Sequence, residues 1–420
     1  MSFLKGGLLS TVAAGSIAAA VSVPVHAQEQ VNPNQSVTER TAEGYNPIGM
    51  PVGSFRFFPK VEVEEEYNDN IHKSNDTETD DFITKVEPKL RLGSDWNQHL
   101  LQLEAGAEIG RYASSEKDDY EDYNLGARGR YDASKALNFN GIAKFLHEHE
   151  ERGGNDVGTD AAAPIEYDQM AGELGVTYKP NRLSVGFRAT ADDYDYDDNA
   201  TLSGGVANND DRDRFQTLGE VRIGYEIQDG YEAYFKSSYN DRDYDSRVDD
   251  QGVDRDSDGY KMQAGIAIDL DRLIRADLAA GWMEQDYADA SLENADGYSL
   301  DARIRWNLTE LTTVRGTASR TINETTITGA SATIDSNLGV GVDHELLRNL
   351  VLTADLKYGQ SDFEGITRED DKYTASVGID YKLNRNFYTR AKYQFEERDS
   401  NQNANDYDQN VFTITLGAQF

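Results

Sequence analysis

Three aspartates at alternate positions, Asp254, Asp256 and Asp258, followed by Gly259, form the D-x-D-x-D-G beginning of a calcium loop. Hard oxygen ligands suit Ca2+, and a loop can present them from every second residue. The twelfth position is Gly265 where an EF-hand has glutamate, so a complete EF-hand is excluded. Calcium at this loop is one reading. A solvated, self-repelling acidic surface is the other, and it also suits the run DDYDYDD from Asp192 to Asp198. His147 and His149 put two imidazoles on one side of an extended segment, a spacing that suits a transition metal or plain rim polarity. Cysteine is absent, which removes disulfides, thiolate metal sites and cysteine nucleophiles. Asp343 and His344 adjoin, yet no serine is evidently paired with them and no nucleophile motif supports a hydrolase.

The other available chemistry is charge. Asp301, Arg303 and Arg305 occupy alternate positions, as do Arg390 and Lys392; Arg315 and Asp380 lie in similar stretches. These stretches alternate with the period of a β-strand. Residues 296–307 set Tyr298, Leu300, Ala302, Ile304 and Trp306 against Ser299, Asp301, Arg303, Arg305 and Asn307. The last ten residues set Phe412, Ile414, Leu416, Ala418 and Phe420 against Val411, Thr413, Thr415, Gly417 and Gln419. Eighteen such segments run from 54–68 through 231–241, 311–323 and 332–343 to 407–420. Short turns such as Gln228-Asp229-Gly230 alternate with long loops such as 150–165, 196–213 and 242–258. All eight prolines lie at or before Pro180, so the later ladders are uninterrupted.

A soluble sandwich and a membrane barrel share this periodicity. Strand length, the hairpin rhythm, an export signal and a terminal aromatic favour the barrel. Tyr260, Tyr298 and Tyr373 lie toward the long loops; Tyr131, Tyr178, Tyr225, Trp306 and Tyr381 lie toward the short turns. Two interfacial girdles are expected from that placement. The fold class read here is all-β: a single transmembrane antiparallel barrel of about eighteen strands with short periplasmic turns and long acidic extracellular loops. Residues 1–27 read as a signal peptide, with Lys5 in the n-region, a small apolar stretch and Val25-His26-Ala27 before the cut. Residues 28–53 read as a mobile periplasmic tail and 54–420 as the barrel.

The net charge of −35 argues against nucleic acid. Mean hydropathy is −0.69, which a barrel tolerates because its lumen and loops are polar. Much of the positive charge nevertheless falls on the inward rows, where Arg303, Arg305, Arg315, Arg390 and Lys392 are expected to line a pore together with Asp301 and Asp380. Phe420 is expected to be the signal read by the barrel assembly machinery, with outer-membrane lipid and lipopolysaccharide as surroundings. No cofactor is expected beyond the calcium reading.

Residues 44–55, Gly-Tyr-Asn-Pro-Ile-Gly-Met-Pro-Val-Gly-Ser-Phe, lead into Pro59-Lys60-Val61-Glu62-Val63 and then Tyr67-Asn68-Asp69-Asn70-Ile71. This order resembles the leading segment of the putative β-barrel porin type 2 family, with Asn46 and Asn68 standing where that pattern often has aspartate. The resemblance implies a barrel in the outer membrane of a Gram-negative bacterium and no catalytic residues. Members are often associated with exopolysaccharide or capsule secretion. It therefore implies a conduit for exported polysaccharide, working with periplasmic polysaccharide-export proteins. The alternative is a general diffusion porin for small hydrophilic solutes.

Overall fold

The computed structural model describes residues 35–40, 42, 44–150, 152, 161–270 and 273–420. Residues 1–34, which cover the expected signal peptide and the first part of the expected tail, lie outside the described residues. A short strand β1 (Met50–Val52) pairs antiparallel with the foot of β2 (Phe55–Asn68). There follow β3 (Asp81–Ser94), β4 (Leu100–Tyr112), β5 (Tyr120–Asp132), β6 (Leu137–Glu150), β7 (Ile165–Tyr178) and β8 (Leu183–Tyr196). A small hairpin, β9 (Asn199–Ala200) and β10 (Val206–Ala207), stands in the next loop. The chain continues with β11 (Arg214–Gln228), β12 (Tyr231–Tyr244), β13 (Ser257–Leu270), β14 (Ile274–Tyr287), β15 (Ala295–Thr309) and β16 (Thr312–Glu324). It ends with β17 (Ala332–Leu347), β18 (Leu350–Phe363), β19 (Glu369–Lys382), β20 (Phe387–Ser400) and β21 (Tyr407–Gln419).

Sequential barrel strands pair antiparallel, and β21 returns to β2 with Lys60 opposite Gln419 and Asn68 opposite Val411. Eighteen strands, β2–β8 and β11–β21, thus close on themselves and leave no edge. Turn chemistry fixes the registers. Gly230 takes φ of +78° at the tip of Gln228-Asp229-Gly230, a backbone region that residues with a Cβ rarely adopt.

The two faces are inverted relative to a soluble protein. Leu174, Leu356 and Leu416 point outward and are 71%, 65% and 61% exposed. Inward-facing Gln263, Ser299 and Thr313 are 1%, 0% and 0% exposed. That pattern is stable where the outer solvent is hydrocarbon. Tyr131, Tyr178, Tyr225, Trp306 and Tyr381 ring the short-turn end of the outer face; Tyr298 and Tyr373 belong to the long-loop end.

The strands outrun their expected ends. β12 continues to Tyr244, past residue 241, because Asp241 and Asp243 still pair with Thr217 and Phe215 of β11. The outward residues there turn acidic above the apolar band, so alternation in hydropathy fades while the ladder continues. The hairpin β9–β10, inside a loop expected to be irregular, was too short to carry a periodic signal.

Candidate functional site

The inward face is where solute would meet protein. β15 directs Asp301, Arg303 and Arg305 inward, β16 Arg315, β19 Asp380, and β20 Arg390 and Lys392; the pairing parity requires it. Arg305 stands opposite Arg275 of β14 on one side and Arg315 of β16 on the other, so three arginines form one row across adjacent strands. Arg315 binds Asp343 through Nε at 3.0 Å and Nη2 at 2.9 Å, and Asp355 at 2.9 Å. Arg275 pairs with Asp269 at 3.1 Å. Asp301 collects Gln263 at 2.7 Å, Lys261 at 3.4 Å and Lys236 at 3.7 Å. Arg303, beside Asp277 in register, is exposed to the lumen and has no ion pair among the described residues.

The expected single stripe is in fact two. Arg390 and Lys392 lie across β17, β18 and β19 from Arg315. Arg390 pairs with Glu62, whose Oε1 also accepts the Tyr388 hydroxyl at 2.6 Å, and Lys392 donates to Gln394 at 2.9 Å. Asp380 is the register partner of Arg390. Glu62, Glu64 and Glu66 of β2, with Lys85 and Lys89 of β3, complete that second charged stretch, which the sequence reading had not assembled.

At the long-loop end, arginines stitch separate loops to one another. Arg242 of β12 reaches Glu324 of β16 across the inner face of three intervening strands, and the Tyr244 hydroxyl joins Glu324 at 2.7 Å. Arg255 donates to Asp249 at 2.8 Å and to the carbonyls of Thr325 and Ala330 at 2.7 and 3.2 Å. Arg212 binds Glu150 at 2.9 and 2.7 Å and lies 4.0 Å from the Tyr196 ring centre. Arg152 bridges Asp118 and His72. Burial pushes the Asp118 carboxyl up, but hydrogen bonds from His72 and Arg152 overcome this and hold it below its usual value. Asp249 behaves alike, with burial outweighed by the backbone N–H of Val253 and by Arg255. Asp213 has no ion pair with a cation among the described residues: burial and nearby carboxylates raise it to about 6 although it accepts the Tyr196 N–H at 2.7 Å. Beneath these stitches a cavity of about 130 Å3 is lined by Asp192, Gln216, Asn240, Lys261 and Gln285. A larger depression of about 560 Å3, among Leu90, Leu103, Leu125 and Phe145, lies on the lipid-facing side.

At the short-turn end the chain itself enters. Residues 36–40 lie against the inner wall, with Ser36 2% and Val37 4% exposed. Ser36 and Glu39 form a reciprocal capping box: Ser36 N–H donates to Glu39 Oε2 at 3.0 Å and Glu39 N–H to Ser36 Oγ at 3.3 Å. Val37 N–H donates to Thr313 Oγ1 at 3.0 Å, Thr38 Oγ1 to Asp343 Oδ2 at 3.4 Å, and Arg305 Nη1 to Glu39 Oε2 at 2.9 Å. Arg40 donates to the Glu310 carbonyl. Residues 36–40 of the tail expected to be mobile are therefore a packed turn, because Val37, Thr38 and Glu39 find partners on β16, β17 and β15 and Arg40 finds one in the turn between β15 and β16.

The proposed calcium ligands are used separately. Asp254 Oδ1 accepts Asp256 N–H at 3.1 Å, Asp256 Oδ1 accepts Tyr244 N–H at 2.8 Å, and Asp258 takes the Tyr239 hydroxyl at 3.3 Å on the outer face. A strand begins at Ser257, so the segment does not wrap. No three His, Cys, Asp or Glu side chains converge as a metal site among the described residues. His147 binds Asp168 at 2.6 Å and His149 binds Asp122 at 2.9 Å, on opposite neighbouring strands. Phe420 faces outward at 52% exposure, and its N–H donates to the Pro59 carbonyl at 3.1 Å.

No curated protein sequence matches the chain. Among solved structures, Pseudomonas aeruginosa OpdL shares 12% identity at a TM-score of 0.45, covering 88% of this chain and 100% of that one. Pseudomonas aeruginosa OccK1 (OpdK) shares 10% at 0.44, covering 87% and 99%, and OccK2 (OpdF) 9% at 0.48, covering 87% and 98%. A family model described as putative beta-barrel porin 2 matches residues 43–420. A chain that closes eighteen strands with an apolar exterior and a charged interior, and that matches this model over nearly its whole length, belongs to the putative beta-barrel porin 2 family and is an outer-membrane β-barrel channel of a Gram-negative bacterium.

Proposed function

We propose that the protein is a passive channel for small hydrophilic solutes. The observation that carries this reading is the way the bore is narrowed near both ends. Arg242 and Arg255 draw the outer loops over the inner face toward Glu324, Thr325 and Ala330, and residues 36–40 occupy the wall at the other mouth. Eighteen strands leave an aqueous channel, and these contacts narrow it. A small solute passes beside them through many weak polar contacts. An exopolysaccharide needs an unbroken bore for its full length, so the polymer-conduit expectation has less support here. Phe420, outward at the closing strand, suits recognition by the assembly machinery, and the outer face suits lipid and lipopolysaccharide.

The test is swelling of liposomes that hold the purified barrel, using sugars of increasing size. Mono- and disaccharides should enter while long oligosaccharides do not. In cells, loss of the gene should leave secreted polysaccharide normal and lower sensitivity to small hydrophilic antibiotics. A null strain that loses surface polysaccharide and keeps its small-solute uptake would replace this reading with polymer export.

A further inference from the structure

We infer that the row Arg275, Arg305 and Arg315 is a binding site for carboxylate-bearing solutes, occupied at rest by Glu39 of the chain's own N-terminal segment. The inference deepens the channel reading and rests on it for the route by which solute arrives.

Three adjacent guanidinium groups on neighbouring strands repel one another unless anions intervene. The two outer members have wall partners: Asp269 for Arg275, and Asp343 with Asp355 for Arg315. The central member is paired by Glu39, which comes from outside the barrel wall at 2.9 Å. A carboxylate at that point is therefore a separable part. Arginine suits this role because its planar fork matches a carboxylate. Glu39 Oε2 is shared between Arg305 and the Ser36 N–H, so the capping box presents the carboxylate in a fixed pose, as a bound solute would present its own. Arg303, lumen-exposed one alternation further in, supplies a second positive charge on the path to the site.

The contact is also built to exchange. The Arg305 and Glu39 side chains are 20% and 36% exposed, the range in which ion pairs are worth about 1 kcal/mol or less. Tethering through a short linker gives the Glu39 carboxylate an effective concentration on the order of mM. A free carboxylate in that range competes; a neutral sugar does not. The segment then acts as a resident competitor that sets the solute concentration at which the site fills.

The experiment is a calorimetric titration of detergent-folded, full-length barrels with gluconate, and with sorbitol as the neutral control. Glu39→Gln keeps the capping acceptor and removes the charge. It should bind gluconate at about fivefold lower concentration than wild type, the factor equivalent to about 1 kcal/mol. Adding Arg305→Gln should abolish that binding, and Arg305→Lys in its place should leave it weakened. Heat-modifiable migration shows that each variant is folded. Equal gluconate affinity in wild type and Glu39→Gln, or retained affinity in the Arg305→Gln double variant, overturns the inference. Because calorimetry needs no conduction, a barrel that binds gluconate but fails to swell liposomes would sink the channel reading alone.

Discussion

The two ends of the barrel are narrowed by different means. The outer end is held by buried arginines: Arg255 at 3% and Arg212 at 5% exposure, each bonded to a carboxylate or carbonyl on a distant part of the chain. The periplasmic end is held by a one-turn segment whose charged contact, Glu39 with Arg305, stays partly wet. Buried pairs are costly to open because each partner is left without water, whereas exposed pairs exchange with solvent and with free ions. One end is thus a fixed constriction and the other a replaceable one. The wall between them uses similar charges throughout, so the difference lies in burial and in whether the counterion belongs to the wall.

The largest effect should come from the fixed end. Arg212→Ala leaves Glu150 buried without its cation, a loss of about 3–5 kcal/mol from the local structure. Protease added to intact cells should then cut the 197–213 loop, which wild type protects; equal resistance would show that the outer end is not stitched by charge. Next comes the wall. Ile304→Arg places a charge on the lipid face of β15 and should cost about 2–4 kcal/mol of folding. Arg303→Ile, one residue away on the lumen face, should fold nearly as wild type. Comparable folding defects in the two, judged by heat-modifiable migration, would break the assignment of faces.

Acid separates the ends further. Asp213 has its folded value raised to about 6, so its contribution is fully present below the ordinary 3.8 and is lost as pH rises through about 6. Asp118 and Asp249 are depressed, so theirs is present above 3.8 and lost as pH falls through their folded values. Protection of the outer loops should therefore increase between pH 7 and about 5 and collapse below the ordinary aspartate value. A monotonic profile would contradict the loop chemistry. The smallest effect on stability belongs to Glu39→Gln. It should lower the unfolding free energy by less than about 1 kcal/mol, since the pair is exposed. A large loss would make the segment part of the fixed structure.

The barrel was legible in the sequence because a period of two survives at every strand whatever the residues beyond it do. Tyr298, Leu300 and Ile304 against Asp301, Arg303 and Arg305 already states which side faces lipid. The closures were not legible. Val37 meets Thr313, 276 positions away, and nothing local announces that contact; the Ser36–Glu39 capping box was readable but stands in a polar, proline-flanked stretch. Arg152, Arg212, Arg242 and Arg255 sit inside acidic runs, where net charge suggests repulsion. Arg152, Arg212 and Arg242 reverse that reading by bonding carboxylates that the sequence keeps far apart, and Arg255 by joining Asp249 of its own loop to the distant carbonyls of Thr325 and Ala330. The D-x-D-x-D-G run straddles an element boundary that spacing alone does not show: the strand beginning at Ser257 holds Asp258 in the ladder, while Asp254 and Asp256 lie in the loop before it and accept backbone N–H groups there.

The most direct test of the account is thiol labelling at two adjacent positions. The chain contains no cysteine, so single substitutions carry no background. Arg303→Cys and Ile304→Cys barrels, inserted in membranes, are treated with a charged, membrane-impermeant maleimide small enough to enter the bore. The account predicts rapid modification at position 303 and protection at position 304. Modification of 304 with 303 protected would turn the apolar face inward and leave no water-filled channel.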